Sequence, residues 1–199
     1  MKRLITLLLT FTAIMIMTSC KDDSIGKLYK TVCPADEALA LAKSSSAVVI
    51  EFQGCTSGKE VWDEFYRNVS EGKEASVLCA HYYTLDSGNI SEDLYEQEKD
   101  QYPQLYWYLI RYDGTSFSIN TRLSSSETEE DQETYSCLCH YTGDAPTSDA
   151  LYDSYDYYVL TDDPDVTWDE IVASMLDSSD PSMIRHCMVY DDYSGWSGN

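Results

Sequence analysis

Positive charge is the first shortage. The 199-residue chain carries 13 lysines and arginines against 35 aspartates and glutamates, a formal net charge of −22. A surface this acidic is repelled by phosphate backbones, which excludes nucleic acid as a partner. Solubility or a cationic partner then accounts for the charge. Long apolar runs are missing as well. The longest, Leu4–Met17, has 14 residues, short of the roughly 20 that a helix needs to cross a bilayer. No Cys-x₂₋₄-Cys spacing occurs, so the usual structural-zinc frame is absent. The acids Asp162, Asp163, Asp165, Asp169 and Glu170 lack the glycine of a calcium loop; at a helix start, negative charge is favourable in any case. Neither a metal nor a cofactor is expected.

Near-motifs fail on inspection. Gly54-Cys55-Thr56-Ser57-Gly58-Lys59-Glu60 follows a strand-like run and precedes a helix. As a phosphate loop it is one spacer short, and Glu60 stands where a hydroxyl should hold magnesium. As a nucleophile elbow it has threonine at the strained centre, a conformation that a β-branched residue resists. Ser57-x-x-Glu60 fits a helix capping box, and Thr167-x-x-Glu170 repeats it. The loop is therefore expected to start a helix and to do no chemistry.

What the chain does have begins at its N-terminus. Lys2 and Arg3 precede the apolar run, and Met17-Thr18-Ser19-Cys20 closes it. This pattern reads as a signal peptide, and its end resembles a bacterial lipobox, whose cysteine is acylated and becomes the new N-terminus. The following Lys21-Asp22-Asp23 resembles the acidic surface-export signal of some outer-membrane lipoproteins. The organisation expected is residues 1–19 as signal, 20–33 as lipidated cysteine and tether, and 34–199 as one domain. Removal of the signal takes away two basic residues, Lys2 and Arg3, and makes the remainder more acidic still.

Within the domain, Pro34 opens a helix and residues 47–52 are β-branched and strand-like. Val61, Trp62, Phe65, Tyr66 and Val69 form one helical face. Residues 74–85 read as a strand and 91–103 as a short helix. Residues 104–123 read as a hairpin about Asp113-Gly114, with the two-residue turn that this pair favours. Residues 124–133 are polar and acidic, either a long hairpin loop or a locally disordered stretch. Residues 134–143 and 154–163 read as a strand pair, 167–176 as an amphipathic helix, 183–190 as a last strand, and 191–199 as a tail. Sequential hairpins with few helices predict an α+β fold of two layers: a mostly antiparallel sheet with two or three helices on one face.

Two groups of side chains are candidates for function. Tyr106, Trp107, Tyr108 and Tyr112 lie among the chain's 17 tyrosines and 4 tryptophans and offer a surface for a protein, peptide or glycan. They alternate across the strand, and both faces are apolar. Cys79, His81, Cys137 and Cys139 are candidates for a disulfide or a metal. The six cysteines after Cys20 permit 15 pairings or simply serve as core.

From about residue 46 the chain resembles an uncharacterised family of bacterial envelope lipoproteins. The stretches that carry the resemblance are GKEVWDEFYRNVSEGKEASVLCAHYYTL and YPQLYWYLIRYDGTSF. The resemblance implies export and a small α+β domain, with no activity to transfer. The function expected is a membrane-tethered, extracytoplasmic, non-enzymatic binding domain, held in the cell envelope through Cys20. The alternative is an envelope hydrolase or metal-dependent enzyme built on the Cys/His cluster. Cys20→Ser is expected to release the protein from the membrane fraction or to block its processing. Fractionation checks this, and a mutant that sediments with membranes like wild type shows that Cys20 is not the anchor.

Overall fold

A computed structural model describes residues 24–85, 88, 90–128, 132–176 and 183–198. Cys20 and the signal segment lie outside the described residues. Residues 24–29 are helical (α1). There follow α2 (Ala35–Lys43), β1 (Val48–Glu51), β2 (Gly54–Ser57), α3 (Lys59–Ser70), β3 (Ala75–Tyr83), α4 (Glu92–Glu98), β4 (Gln104–Tyr112), β5 (Phe117–Leu123), β6 (Glu133–Tyr135), β7 (Cys137–Asp144), β8 (Ser154–Thr161), α5 (Trp168–Leu176) and β9 (His186–Ser194).

All nine strands form one sheet in the order β6-β5-β4-β3-β1-β2-β9-β8-β7. The β1–β3 pair is parallel and the other pairs are antiparallel. The sheet is mixed and curls into a half-barrel, so the expected two-layer arrangement with helices on one face is incorrect. The reason lies in the strands. On β3, Val77 and Cys79 face one way, Leu78 and Ala80 the other, and all four are buried. A strand that is apolar on both faces needs a cover on both. Inside the curl, Trp62 and Phe65 of α3 pack on Val48, Ile50, Val77, Cys79 and Ile110. Outside it, Ala35, Ala38 and Ala42 of α2 pack on Val49, Leu78, Ala80 and Trp107. At the far end, Ile171 of α5 covers Tyr157 and Val159. The accumulated twist of so many strands supplies the curvature.

The N-terminal segment is also more than a tether. Ile25, Tyr29 and Cys33 are buried against the outer face. Arg122, itself buried, donates to the carbonyls of Tyr29, Thr31 (2.8 Å) and Ser126 (2.9 Å) and ties this segment to β5.

The helix starts divide. Thr167 and Glu170 form the expected box: the Thr167 amide donates to Glu170 Oε2 at 2.8 Å, and the Glu170 amide to Thr167 Oγ1 at 3.3 Å. Ser57 does not cap α3. It pairs with Val49 as the last residue of β2, and Gly58 takes the cap position at φ +79°. A Cβ on Gly58 would lie 2.4 Å from the Ala47 carbonyl oxygen, so the turn from β2 into α3 requires glycine. The Asp113-Gly114 hairpin pairs Tyr112 with Phe117 as a four-residue turn rather than two. Asp113 Oδ1 accepts the Thr115 hydroxyl (2.7 Å) and the amides of Ser116 (2.9 Å) and Thr115 (2.8 Å), which hold its carboxyl down to about 2.

The edge strands β6 and β7 are separated in sequence by Ser136 alone. Arg185, just before β9, holds this junction closed. It donates to the Thr134 carbonyl (2.8 Å), Asp162 Oδ2 (2.8 Å) and Glu133 Oε2 (3.1 Å), and lies 4.0 Å from the Tyr135 ring centre. The guanidinium is about half exposed, so each contact is screened, but one planar group makes all of them. Arg185→Ala is expected to cost about 1–2 kcal/mol and Arg185→Lys to restore less than half, because an ammonium lacks the planar fork. Urea unfolding measures both. A loss under about 0.5 kcal/mol, the scale of a lone surface pair, would show that the junction holds without the clasp.

Candidate functional site

The structure separates the two groups picked out from sequence. Trp107 is fully buried on the outer face of β4 with Leu105 and Leu109. Tyr106, Tyr108 and Tyr112 are half-buried on the other face. Tyr108 stacks on His81 at 4.3 Å, and Tyr112 stacks on Phe117 at 4.7 Å. Both faces of β4 are thus occupied by the protein's own side chains.

Cys79 lies within the curl near Cys55 and Cys187, whereas Cys137 and Cys139 share the face of β7 that carries Tyr141 toward α5. The pairing of Cys79 with Cys137 or Cys139 is therefore not made. The six cysteines of the described residues are free thiols, and no three His, Cys, Asp or Glu side chains among those residues are placed to hold a metal ion. Burial raises the thiol of Cys79 and pushes that of Cys187 up to about 12, which makes both poor nucleophiles.

Of these side chains, His81 lines a cleft. A cleft of about 410 Å³ opens where the β1–β2 turn, the end of β3 and β9 meet. Phe52 and Glu51 come from the β1–β2 hairpin, His81 and Tyr83 from β3, and Asp191 and Tyr193 from β9. Leu151, Tyr152 and Trp196 come from segments outside the sheet. Backbone bonds hold these in place: Ser197 donates to the Leu151 carbonyl (2.7 Å) and Asp153 to that of Ser194 (2.8 Å). Sequence reading placed residues 191–199 in a tail, but β9 runs on to Ser194 and the residues after it fold back over the cleft. The signal available in the sequence is Trp196, a large aromatic in an otherwise small and polar stretch.

The rings meet at several inclinations. Phe52 and Trp196 are 5.2 Å apart at 84°, Tyr193 and Trp196 5.7 Å at 48°, and Tyr152 and Tyr193 4.6 Å at 40°. Aromatic pairs favour such tilted contacts, and their faces consequently bound the cleft from more than one side. Phe52 is 59 % exposed, so the wall is open to solvent at that end.

Two titrating groups lie in this cleft. His81 Nε2 donates to the Val189 carbonyl at 3.3 Å, which fixes the proton on that nitrogen; burial holds its pKa down to about 4, so it is neutral. Asp191 lies beside Tyr83 and Tyr193. Burial, with the Asp192 charge next to it, pushes its carboxyl up to about 7. Glu51 is different: Lys43 (2.6 Å) and Thr56 (2.5 Å) hold it ionised. On the other face of β9, Asp192 faces Lys59 at 3.7 Å in a second, polar cleft.

The three histidines bond to a Val189 carbonyl, to Asp156 and to an Ile184 carbonyl. None of these partners is a hydroxyl or a thiol, so a base beside an activated hydroxyl or thiol is not formed by these contacts. The chain matches no protein-family model, and no curated protein or solved structure matches it.

The raised Asp191 carboxyl has a thermodynamic consequence. Between its usual value near 3.8 and about 7 the folded state holds a proton that the unfolded state has lost. Stability from this group is therefore present at low pH and lost as pH rises toward 7. Asp191→Asn is expected to stabilise the protein by up to about 4 kcal/mol at pH 8 and by little at pH 4. His81 acts in the opposite sense between about 6.5 and 4 and is common to both proteins. Urea unfolding at the two pH values is the check, and an equal effect at both would show that the Asp191 carboxyl is not shifted.

Proposed function

We propose that this protein is a non-enzymatic binding domain, tethered to the extracytoplasmic side of a bacterial membrane through an acylated Cys20, and that the aromatic cleft is its ligand site. The observation that carries the reading is the cleft itself. Ring faces from Phe52, Tyr152, Tyr193 and Trp196 enclose a concavity of ligand size, and a few polar groups converge on it. This combination of apolar wall and sparse polar contacts is the general character of small-ligand sites. The Cys20 anchor rests on the lipobox-like sequence, and the envelope location follows from it.

The tyrosine-rich strand pair 104–123 loses its role in this reading. Trp107 is core, and the exposed aromatic edge lies instead at the β1–β2 turn and the C-terminal segment. A panel of neutral sugars, indole and phenol compounds, aromatic dipeptides and alkylammonium salts, titrated by tryptophan fluorescence, tests the proposal. At least one class is expected to bind, without turnover, and Trp196→Ala or Tyr193→Ala is expected to weaken that binding at least tenfold, since a buried aromatic anchor contributes on the order of 2 kcal/mol. Binding unchanged in both variants would place the ligand elsewhere, and product formation would refute the non-enzymatic reading.

A further inference from the structure

We propose that the cleft selects an organic cation, an alkylammonium or quaternary ammonium group seated between the aromatic rings and paired with Asp191. The inference rests on the cleft being the ligand site and assigns the chemistry of its occupant.

The lining residues include two carboxylates, Glu51 and Asp191, and neither lysine nor arginine. Lys43 and Thr56 already satisfy Glu51. Asp191 is the acid left to meet a ligand. An anion entering here would find no cationic partner among the described lining residues and would meet two carboxylates. A neutral apolar ligand would bury Asp191 further, which costs free energy for a carboxylate and favours its protonation. A metal cation needs several oxygen ligands in one shell, whereas most of this wall is rings. An organic cation satisfies both features at once. Its charge pairs with Asp191, and its alkyl substituents contact the faces of Trp196, Tyr152 and Tyr193, where the ring quadrupole attracts positive charge. The inclination of these rings, 40° and 48° about Tyr193, turns their faces in different directions, as a compact cation with several equivalent substituents requires. The net charge of −22 adds a long-range attraction for cations and none for anions.

The titration of Asp191 gives the site a signature. The groups around it are Tyr83 and His81 on β3, Tyr157 opposite it on β8, which burial keeps neutral, Tyr193 and Asp192 on its own strand, Tyr152, and Glu51 with Lys43. Tyr83 and Tyr193 are raised and stay neutral, His81 is neutral above about 4, and Glu51 is ionised throughout. Asp192 faces Lys59 on the other side of the strand. Asp191 is thus the group in the cleft that changes charge near neutral pH. Since the binding-competent fraction scales the apparent affinity, cation binding should strengthen about tenfold from pH 6 to pH 8.

Calorimetric titration of the purified full-length protein with choline and with 3,3-dimethylbutan-1-ol, its neutral carbon isostere, tests the inference. Choline is expected to bind at pH 8, at least tenfold more tightly than the isostere. Asp191→Asn, whose fold should be as stable as wild type or more so, is expected to abolish that preference and the pH dependence. Trp196→Ala is expected to weaken choline binding at least tenfold. Equal affinity for choline and the isostere would overturn the cation assignment while leaving the cleft as the ligand site. Absence of choline binding, or binding that ignores both pH and Asp191, would also overturn it. If, in addition, no compound of the fluorescence panel binds, the cleft reading fails with it.

Discussion

The curl of the sheet, which brings its two edges together beside Arg185, is the constraint on which the rest of this structure depends. A nine-stranded sheet has two edges, and here they are strands β6 and β7, joined by Ser136. One guanidinium reaches Glu133 and Thr134 on one side and Asp162 on the other. With the edges held together, side chains from both ends of the sheet enter one cluster: Ile119 and Tyr135 from β5 and β6 meet Leu160 and Val189 from β8 and β9. Trp62 lies inside this cluster, stacked on Tyr190 at 4.7 Å and edge-on to Tyr158 at 5.1 Å. A flat sheet could not surround one helix in this way. The curl also sets β9 near β3, which is why His81 can bond the Val189 carbonyl across a sequence separation of 108 residues.

The glycine-rich stretch after β1 now has a physical role. β2 meets β9 at the single register pair Gly54–Asp192. A Cβ on Gly54 would lie 2.7 Å from Asp192 Cα, closer than packed atoms come, so only glycine lets the two strands approach. Gly54 and Gly58 do together what the phosphate-loop and nucleophile readings would have assigned to chemistry. One admits β9 beside the hairpin and the other turns the chain into α3. The cleft is the by-product of this junction. It forms where a hairpin of two four-residue strands is inserted between the nine-residue strands β3 and β9, and its wall is filled from the β1–β2 turn and the C-terminal segment.

Local features of the fold were legible in the sequence. The alternation about Asp113-Gly114, the apolar stripe of α3 and the Thr167–Glu170 box are set by neighbours within a few residues, and each formed, with the turn lengthened by two residues. The number of layers was not legible. It depends on which of two apolar faces is covered and by what, and α2, α3 and α5 answer that question differently at three places on the sheet. Arg185 looked like an isolated charge because its acceptors lie 23 to 52 residues away. The cleft was hidden for the same reason. Phe52, Tyr83 and Tyr152 come from three segments and Asp191, Tyr193 and Trp196 from a fourth, and nothing local distinguishes most of these rings from the other aromatics of the chain. Trp196 alone was a usable hint, since a tryptophan in a polar segment has no place in solvent unless something packs on it.

Burial raises the Asp191 carboxyl to about 7, so it is protonated near pH 5 where a carboxylate is usually ionised, and burial holds His81 neutral at that pH; both line the same cleft. Side chains that cost folding free energy at a working pH are expected where a site needs them and not where packing alone decides. An asparagine or a leucine at position 191 would remove the penalty, yet the chain keeps an acid there, at the base of a wall of rings. A cation that ionises Asp191 on entry converts that penalty into affinity, because the charge that burial disfavours gains its partner. Ligand binding and folding stability are then linked through one carboxyl group: the ligand should stabilise the protein most above pH 7, where the empty site costs most.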